Sequence, residues 1–210
     1  PFLIKEQKVL MIAQETGKES DMARAMCDIV KSCTDGAIKN PEKLPTFDIE
    51  YMFLQLRSKS VGDEVELEVT CPDDGETKVP VTVKLSEVEI ERQEDHKPDV
   101  MITDTIGMKF KYPSMMDISK YTTGKIKTVD LTFGVIRDCL ECIFDENEVY
   151  EDMSKKEVDE FIESMSTEQF QRVQSFFDTM PKLRKRIKVT NPKTNKEGEV
   201  LIEGMQNFLA

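Results

Sequence analysis

The sequence predicts an α+β fold: a helical N-terminus, a β-rich middle of antiparallel hairpins, a helical second half and a C-terminal hairpin. Three observations carry that reading. Apolar residues recur at helical spacing before residue 60, alternate with period two from about 63 to 112, and return to helical spacing after 113. Two capping-box runs, Ser154 to Glu157 and Ser166 to Gln169, mark helix starts in the second half. Alternation then reappears in Ile187 and Val189, and again in Val200 and Ile202.

Residues 5–15 read as a helix with Val9, Ile12 and Ala13 towards a core. Ser20 caps a second helix whose apolar positions are Met22, Met26, Ile29, Val30 and Cys33. Gly36, Pro41 and Pro45 mark residues 34–45 as a loop. Thr46 caps a third helix with Ile49, Met52, Phe53 and Leu56 on one face, ended by Ser60-Val61-Gly62.

Val65, Leu67 and Val69 alternate with Glu64, Glu66 and Glu68, and Val79, Val81 and Val83 follow a Pro/Asp/Gly turn, so the pair is a β-hairpin. A strand covers Val88 and Ile90, residues 91–98 form an exposed crossing, and Val100–Ile102 and Met108–Tyr112 make another strand pair. Pro113 opens a short helix with Met115, Met116 and Ile118. Thr128 caps a long helix expected to run through Phe144, with Leu131, Val135, Cys139 and Cys142 on one stripe. The capping-box helices bury Val158, Phe161 and Ile162, then Phe170, Val173, Phe176 and Phe177, and Pro181 ends the second. These elements divide into regions 1–60, 61–112, 113–180 and 181–210, expected to form one compact body.

The composition narrows the function. The 210 residues hold 29 Lys and Arg against 41 Asp and Glu, a net charge of −12, which argues against broad duplex DNA binding. His96 is the only histidine, and no Gly-x-Ser-x-Gly, Walker loop, dinucleotide fingerprint or His-Glu-x-x-His occurs, so an enzyme is not expected. Thr123-Gly124-Lys125 lacks the flanking residues of a P-loop. The N-terminal run shows no signal-peptide pattern, and no stretch of about 18 apolar residues could span a bilayer. Five cysteines, an odd number, fit synthesis in a reducing cytoplasm. Cys139-Leu140-Glu141-Cys142 is a Cys-x-x-Cys placed within a helical pattern, which favours a packed face over a redox pair.

A weak internal echo links the two hairpins. Val69-Thr70-Cys71-Pro72 recurs as Val189-Thr190-Asn191-Pro192, each at a strand end before a polar turn. Either the two share a ribbon-like unit or Val-Thr-x-Pro is a common strand exit matched by chance. Two knuckles each bearing Cys-x-x-Cys would hold zinc, because four thiolates close a tetrahedral shell. At the four positions stand Cys71, Asp74, Asn191 and Thr194, and one thiolate cannot close that shell, so a metal-free pair of degenerate zinc-ribbon-like knuckles is expected.

Two surface features suggest protein partners. Adjacent Met115 and Met116 suit an adaptable binding face. Charge is segregated into an acidic stretch from Glu141 to Asp152 and a basic stretch of Lys182, Arg184, Lys185, Arg186 and Lys188, which together could orient a partner. The basic stretch has no interleaved aromatics, a weak signal for nucleic acid.

Three runs resemble a known family: Phe47 to Glu64 followed by the Cys71-Pro72 hairpin, Glu168 to Leu183, and the closing Ile202 to Leu209. Together they resemble the small baseplate hub proteins of T-even-type contractile-tailed phages. Many members carry Cys-x-x-Cys at both knuckles, and this chain departs at three of the four positions. The resemblance implies a non-enzymatic structural or assembly role in the tail baseplate of the virion, after synthesis in the host bacterial cytoplasm. It implies other hub and tail proteins as partners, the tape-measure protein among the candidates, and no cofactor, membrane or small-molecule substrate. Two alternatives stand beside it: an assembly chaperone absent from the mature virion, and a degenerate ribbon that binds nucleic acid through the basic stretch.

Overall fold

The structure is a computed structural model that describes residues 3–122 and 128–208. The Thr123-Gly124-Lys125 run and Leu209 lie outside the described residues. Helices α1 (Ile4–Thr16), α2 (Glu19–Cys33) and α3 (Thr46–Ser60) precede the hairpin β1 (Glu64–Thr70) and β2 (Lys78–Lys84). Three short strands follow, β3 (Glu89–Glu91), β4 (Asp99–Met101) and β5 (Gly107–Phe110). The second half holds α4 (Met115–Thr122), α5 (Thr128–Cys139), β6 (Leu140–Phe144), β7 (Val149–Tyr150), α6 (Lys155–Glu163) and α7 (Thr167–Thr179). A second hairpin, β8 (Lys182–Thr190) and β9 (Glu197–Glu203), leads into a closing 3₁₀ turn over Met205–Phe208. Among the described residues no helix is long and apolar enough to cross a membrane.

All described sheets are antiparallel. β1 pairs with β2 in a two-stranded ribbon with Val65 opposite Val83, Leu67 opposite Val81 and Val69 opposite Val79. The order β3-β8-β9 makes a second sheet, and β4-β5-β6-β7 a third. The mixed α/β architecture, the helical start and the C-terminal hairpin are those read from the sequence. Ser154 and Ser166 cap α6 and α7 with both halves of the capping box formed. A similar reciprocal pair opens α4: the Asp117 backbone N–H donates to the Ser114 hydroxyl, and the Asp117 carboxylate accepts from the Ser114 N–H and O–H.

Four expectations are corrected. α1 buries Leu10, Ala13 and Glu6, whereas Val9 and Ile12 are exposed. Its apolar residues lie all round the helix, so their period did not fix a face, and Glu6 is held inward by the Leu3 N–H and the Ser32 hydroxyl. α2 begins one residue before Ser20, with Lys18 in the capping position, and α3 follows Pro45 with Thr46 inside its first turn; neither end has a side-chain cap bond. The long helix expected through Phe144 ends at Cys139, and Leu140–Phe144 is a strand pairing with β5. Cys139 and Cys142 therefore straddle a helix–strand junction. Gly107 faces the Phe144 ring in that pair, and a Cβ there would come within 2.2 Å of the ring, so only glycine admits the aromatic.

Two apolar clusters form. The first gathers α2 and α3 (Met26, Ile29, Ile49, Phe53) with both hairpins (Leu67, Val83, Leu183, Ile202) and the closing Phe208. The second gathers β4–β6 with α5–α7, and Phe176 is central to it. Its ring centroid lies 5.0 Å from that of His96, 5.2 Å from Phe110 and 4.9 Å from Phe177. The clusters meet where the Thr46 N–H donates to the Pro113 carbonyl and Phe47 sets its ring edge-on to Tyr112. Each fully buried aromatic of this kind contributes several kcal/mol through apolar burial and ring packing.

Among the described residues, one half-buried glutamate of α3 forms no ion pair. Glu50, half-buried on α3, meets the backbone of Met205 in the closing turn. Burial pushes its carboxyl up to about 7, the nearby Glu203 carboxylate adds to the rise, and the Met205 backbone hydrogen bond opposes it. The folded state thus binds this proton more tightly than the unfolded chain, whose glutamate titrates near about 4.3. Stability from this group is full below that value and declines as pH rises through about 7. Glu50→Gln should raise stability at pH 8 by about 1–3 kcal/mol and flatten the decline between acidic and neutral pH, as read by urea melts across pH.

Candidate functional site

The two hairpin knuckles come together. Cys71-Pro72-Asp73-Asp74-Gly75 and Asn191-Pro192-Lys193-Thr194-Asn195 are the same turn built twice. In each, the first residue takes the same two backbone bonds: the Cys71 N–H donates to the Thr77 carbonyl and the Asn191 N–H to the Lys196 carbonyl, while Gly75 and Asn195 donate back to the carbonyls of Cys71 and Asn191. Gly75 and Asn195 both sit in the left-handed region, at φ of 68° and 56°. The first loop is longer by one residue before its strand returns.

Across the pair, side chains lock the knuckles to one another. The Asn191 amide nitrogen donates to Asp73 Oδ1 and to Asp74 Oδ2, each at 2.8 Å. The Thr194 hydroxyl donates to Asp73 Oδ2, and the Thr77 hydroxyl donates to Asp74 Oδ2. Asp74 Oδ1 accepts the backbone N–H groups of Glu76 and Thr77, and Asn191 Oδ1 accepts that of Lys193. Asn191 is 1% exposed, so its amide has exchanged water for these partners. Pro72 packs on the start of β9, where a Cβ on Gly198 would lie 2.6 Å from Pro72 Cγ.

The donor set does not fit zinc. Three of the four ribbon positions, Asp74, Asn191 and Thr194, are engaged with Asp73, Thr77 and one another, and Cys71 is fully buried. Burial, with the Asp73 and Asp74 carboxylates beside it, raises the Cys71 thiol above its ordinary pKa and keeps it protonated. Among the described residues no group of three or more His, Cys, Asp or Glu is arranged to hold a metal ion. Asp73, which sequence reasoning passed over, is the centre of the lock. The signal available was its place beside Asp74 in a turn facing an Asn and a Thr.

The other sequence-predicted residues scatter. Met115 is buried, and Met116, 41% exposed, lines an open cleft of about 830 Å³ between α2 and α4 with Arg24, Asp28 and Glu42. The basic stretch lies along β8 and is largely answered by carboxylates. Arg184 pairs with Glu203 at 2.7 Å and Glu91 at 3.0 Å, Lys182 with Glu203, Lys185 with Glu87, and Arg186 with Glu91 and Glu199. Lys188 stands opposite Glu199 in the β8–β9 ladder. In the acidic stretch, Glu141 pairs with Lys109, and Asp145 closes the β6–β7 turn by accepting the N–H groups of Asn147 and Glu148. Cys139 is buried, and its thiol is pushed up to about 12, chiefly by burial. Burial also raises the Cys142 thiol, so neither is a poised nucleophile. His96 is wedged against Tyr112 and Phe176 with Nδ1 on the Thr179 hydroxyl, and burial lowers its pKa.

Sequence reasoning also missed an outward apolar face on α1. Leu3, Ile4, Met11 and Ile12 are each more than half exposed. Apolar residues all round a surface helix are the available signal.

The lock makes two predictions. Asn191→Ala should cost about 2–3 kcal/mol in chemical denaturation, because bonds to two carboxylates go with it. Thr194 and Asn191 hold Asp73, and Thr77, Glu76 and Asn191 hold Asp74, each well below the usual carboxylate range. Depressed carboxylates stabilise the fold above their unfolded values, and that contribution is lost as pH falls through the folded ones, so the Asn191→Ala deficit should shrink as pH falls below the ordinary carboxylate range. Gly198→Val should be destabilising by about 1–3 kcal/mol, because the proline ring above it cannot swing aside.

No curated protein and no solved structure gives a significant match to this chain. A family model does, over residues 1–210, and its description is T4 bacteriophage base plate protein. A chain with twin locked hairpins, a helical start bearing an outward apolar face and thiols kept protonated by burial thus belongs to the T4-type phage baseplate protein family.

Proposed function

We propose that this chain is a non-enzymatic subunit of the baseplate hub that binds neighbouring hub and tail proteins. The match to a baseplate family over the whole chain carries the reading. Two features of the molecule support it. The α1 face of Leu3, Ile4, Met11 and Ile12 offers exposed apolar surface of the kind that marks protein contacts. The nucleophile and base candidates, Cys71, Cys139, Cys142 and His96, are spent on packing, which favours a structural role over catalysis.

The nucleic-acid reading is weakened by the geometry of β8, because Lys182, Arg184, Lys185 and Arg186 already hold carboxylates of their own sheet. Removing the gene from the phage should stop tail assembly at the hub stage, seen by electron microscopy of infected-cell lysates. Normal contractile particles would refute the role. Counting the protein in purified virions separates a resident subunit from a chaperone that leaves. Met11→Ser with Ile12→Ser should leave the melting temperature within a few degrees, since both side chains are exposed, yet lower incorporation into baseplates about tenfold.

A further inference from the structure

The two hairpins meet at their knuckles and part beyond them. β1 pairs with β2 and β9 pairs with β8, and no backbone hydrogen bond joins β1 to β9 among the described residues. Each strand therefore keeps one edge without a strand partner. Between them lies a cleft of about 360 Å³, lined by residues 67–70 of β1, residues 200–202 of β9 and Asn207 of the closing turn. Unpaired strand edges are templates for another strand.

The side chains beside the cleft specify what fits it. Towards the interior, Leu67, Val69 and Ile202 belong to one apolar cluster, with Val200 packed against it. Towards solvent, β1 presents Glu64, Glu66 and Glu68, and β9 presents Glu197 and Glu199. The bases sit one strand further out. Lys78 of β2 reaches Glu68, and Arg186 of β8 reaches Glu199. Lys84 and Lys188 stand opposite Glu64 and Glu199 in their ladders, whereas Glu66 and Glu197 stand opposite threonines, Thr82 and Thr190. A strand placed between two acidic strands would gain from cations on its outward face and apolar residues on its inward one.

We propose that the β1–β9 cleft receives an extended segment of a partner protein, in which apolar residues alternate with Lys or Arg, as an added strand bridging the two hairpins. This rests on the reading that the chain binds other baseplate proteins, and names the chemistry of one such contact.

The test uses the full chain and a short synthetic peptide in which lysine and valine alternate. Its controls are a glutamate–valine counterpart and the lysine peptide N-methylated at every second residue. The lysine peptide should bind with an affinity that falls about tenfold between low and physiological salt. It should slow amide exchange in residues 66–70 and 199–203. The glutamate and N-methylated peptides should not bind, and Glu66→Lys with Glu68→Lys should weaken the lysine peptide about tenfold at unchanged melting temperature. Absence of binding, equal binding of the N-methylated peptide, or protection confined to other segments would overturn the proposal. So would a dimer of the free chain that protects the same two segments, since a second copy would then fill the cleft. None of these failures would alter the outcome of the gene deletion, which tests the assembly role by itself.

Discussion

The lock between the knuckles is the constraint on which the rest of the structure depends. One amide group, Asn191 Nδ2, joins the carboxylates of Asp73 and Asp74 across more than a hundred residues of intervening chain. Everything from β3 to α7 leaves from the first hairpin and must return to the second for that contact to exist. Hydrogen bonds to charged acceptors are stronger than neutral ones, and each of these is formed by a group withdrawn from solvent at one end. A metal closes such a junction with four strong bonds. Here a web of acceptor oxygens and three polar donors, Asn191, Thr194 and Thr77, does it with weaker ones. The consequence is a junction whose strength follows the ionisation of two aspartates.

The lock also determines where the apolar core can lie. With the knuckles held together, the inward valines and leucines of β1 and β2 face the same cluster as Leu183, Val189 and Ile202 of the second hairpin. α2 and α3 close that cluster from the other side. The second cluster gathers around Phe176 from elements between the hairpins. Packing at Phe47, Tyr112 and Pro113 ties it to α3.

How much of this could be read beforehand follows from which forces are local. Caps at Ser154 and Ser166, the Pro181 stop and both hairpins depend on residues within a few positions, and they are legible. The end of α5 is not. Leu131, Val135, Cys139 and Cys142 keep helical spacing across the junction, while β6 exists because Met108 and Gly107, more than thirty residues upstream, pair with Ile143 and Phe144. The face of α1 was ambiguous because its apolar residues encircle it; burial of Glu6 was settled by Ser32 on the neighbouring helix. At the knuckles, the echo of Val-Thr-x-Pro located the junction correctly. The chemistry that closes it is not legible from the thiolate positions of a zinc ribbon, because the central group, Asp73, is not one of them.

The charge distribution gains a different meaning once the sheets are in place. A net charge of −12 with an acidic and a basic block suggested segregated stretches that together orient a partner. In the folded chain the basic block is largely answered by carboxylates of its own and neighbouring segments, and Arg184 alone holds two glutamates. Among the described residues, Glu66 of β1 and Glu197 of β9 stay exposed with no ion pair, on strands that have no strand between them. Lys78 of β2 and Arg186 of β8 reach Glu68 and Glu199, so the acidic charge along the two unpaired edges is answered only in part. Negative edges repel one another, which discourages pairing between copies of the same chain. On the proposed reading, the same charge that disfavours pairing between copies would favour a partner strand of opposite sign.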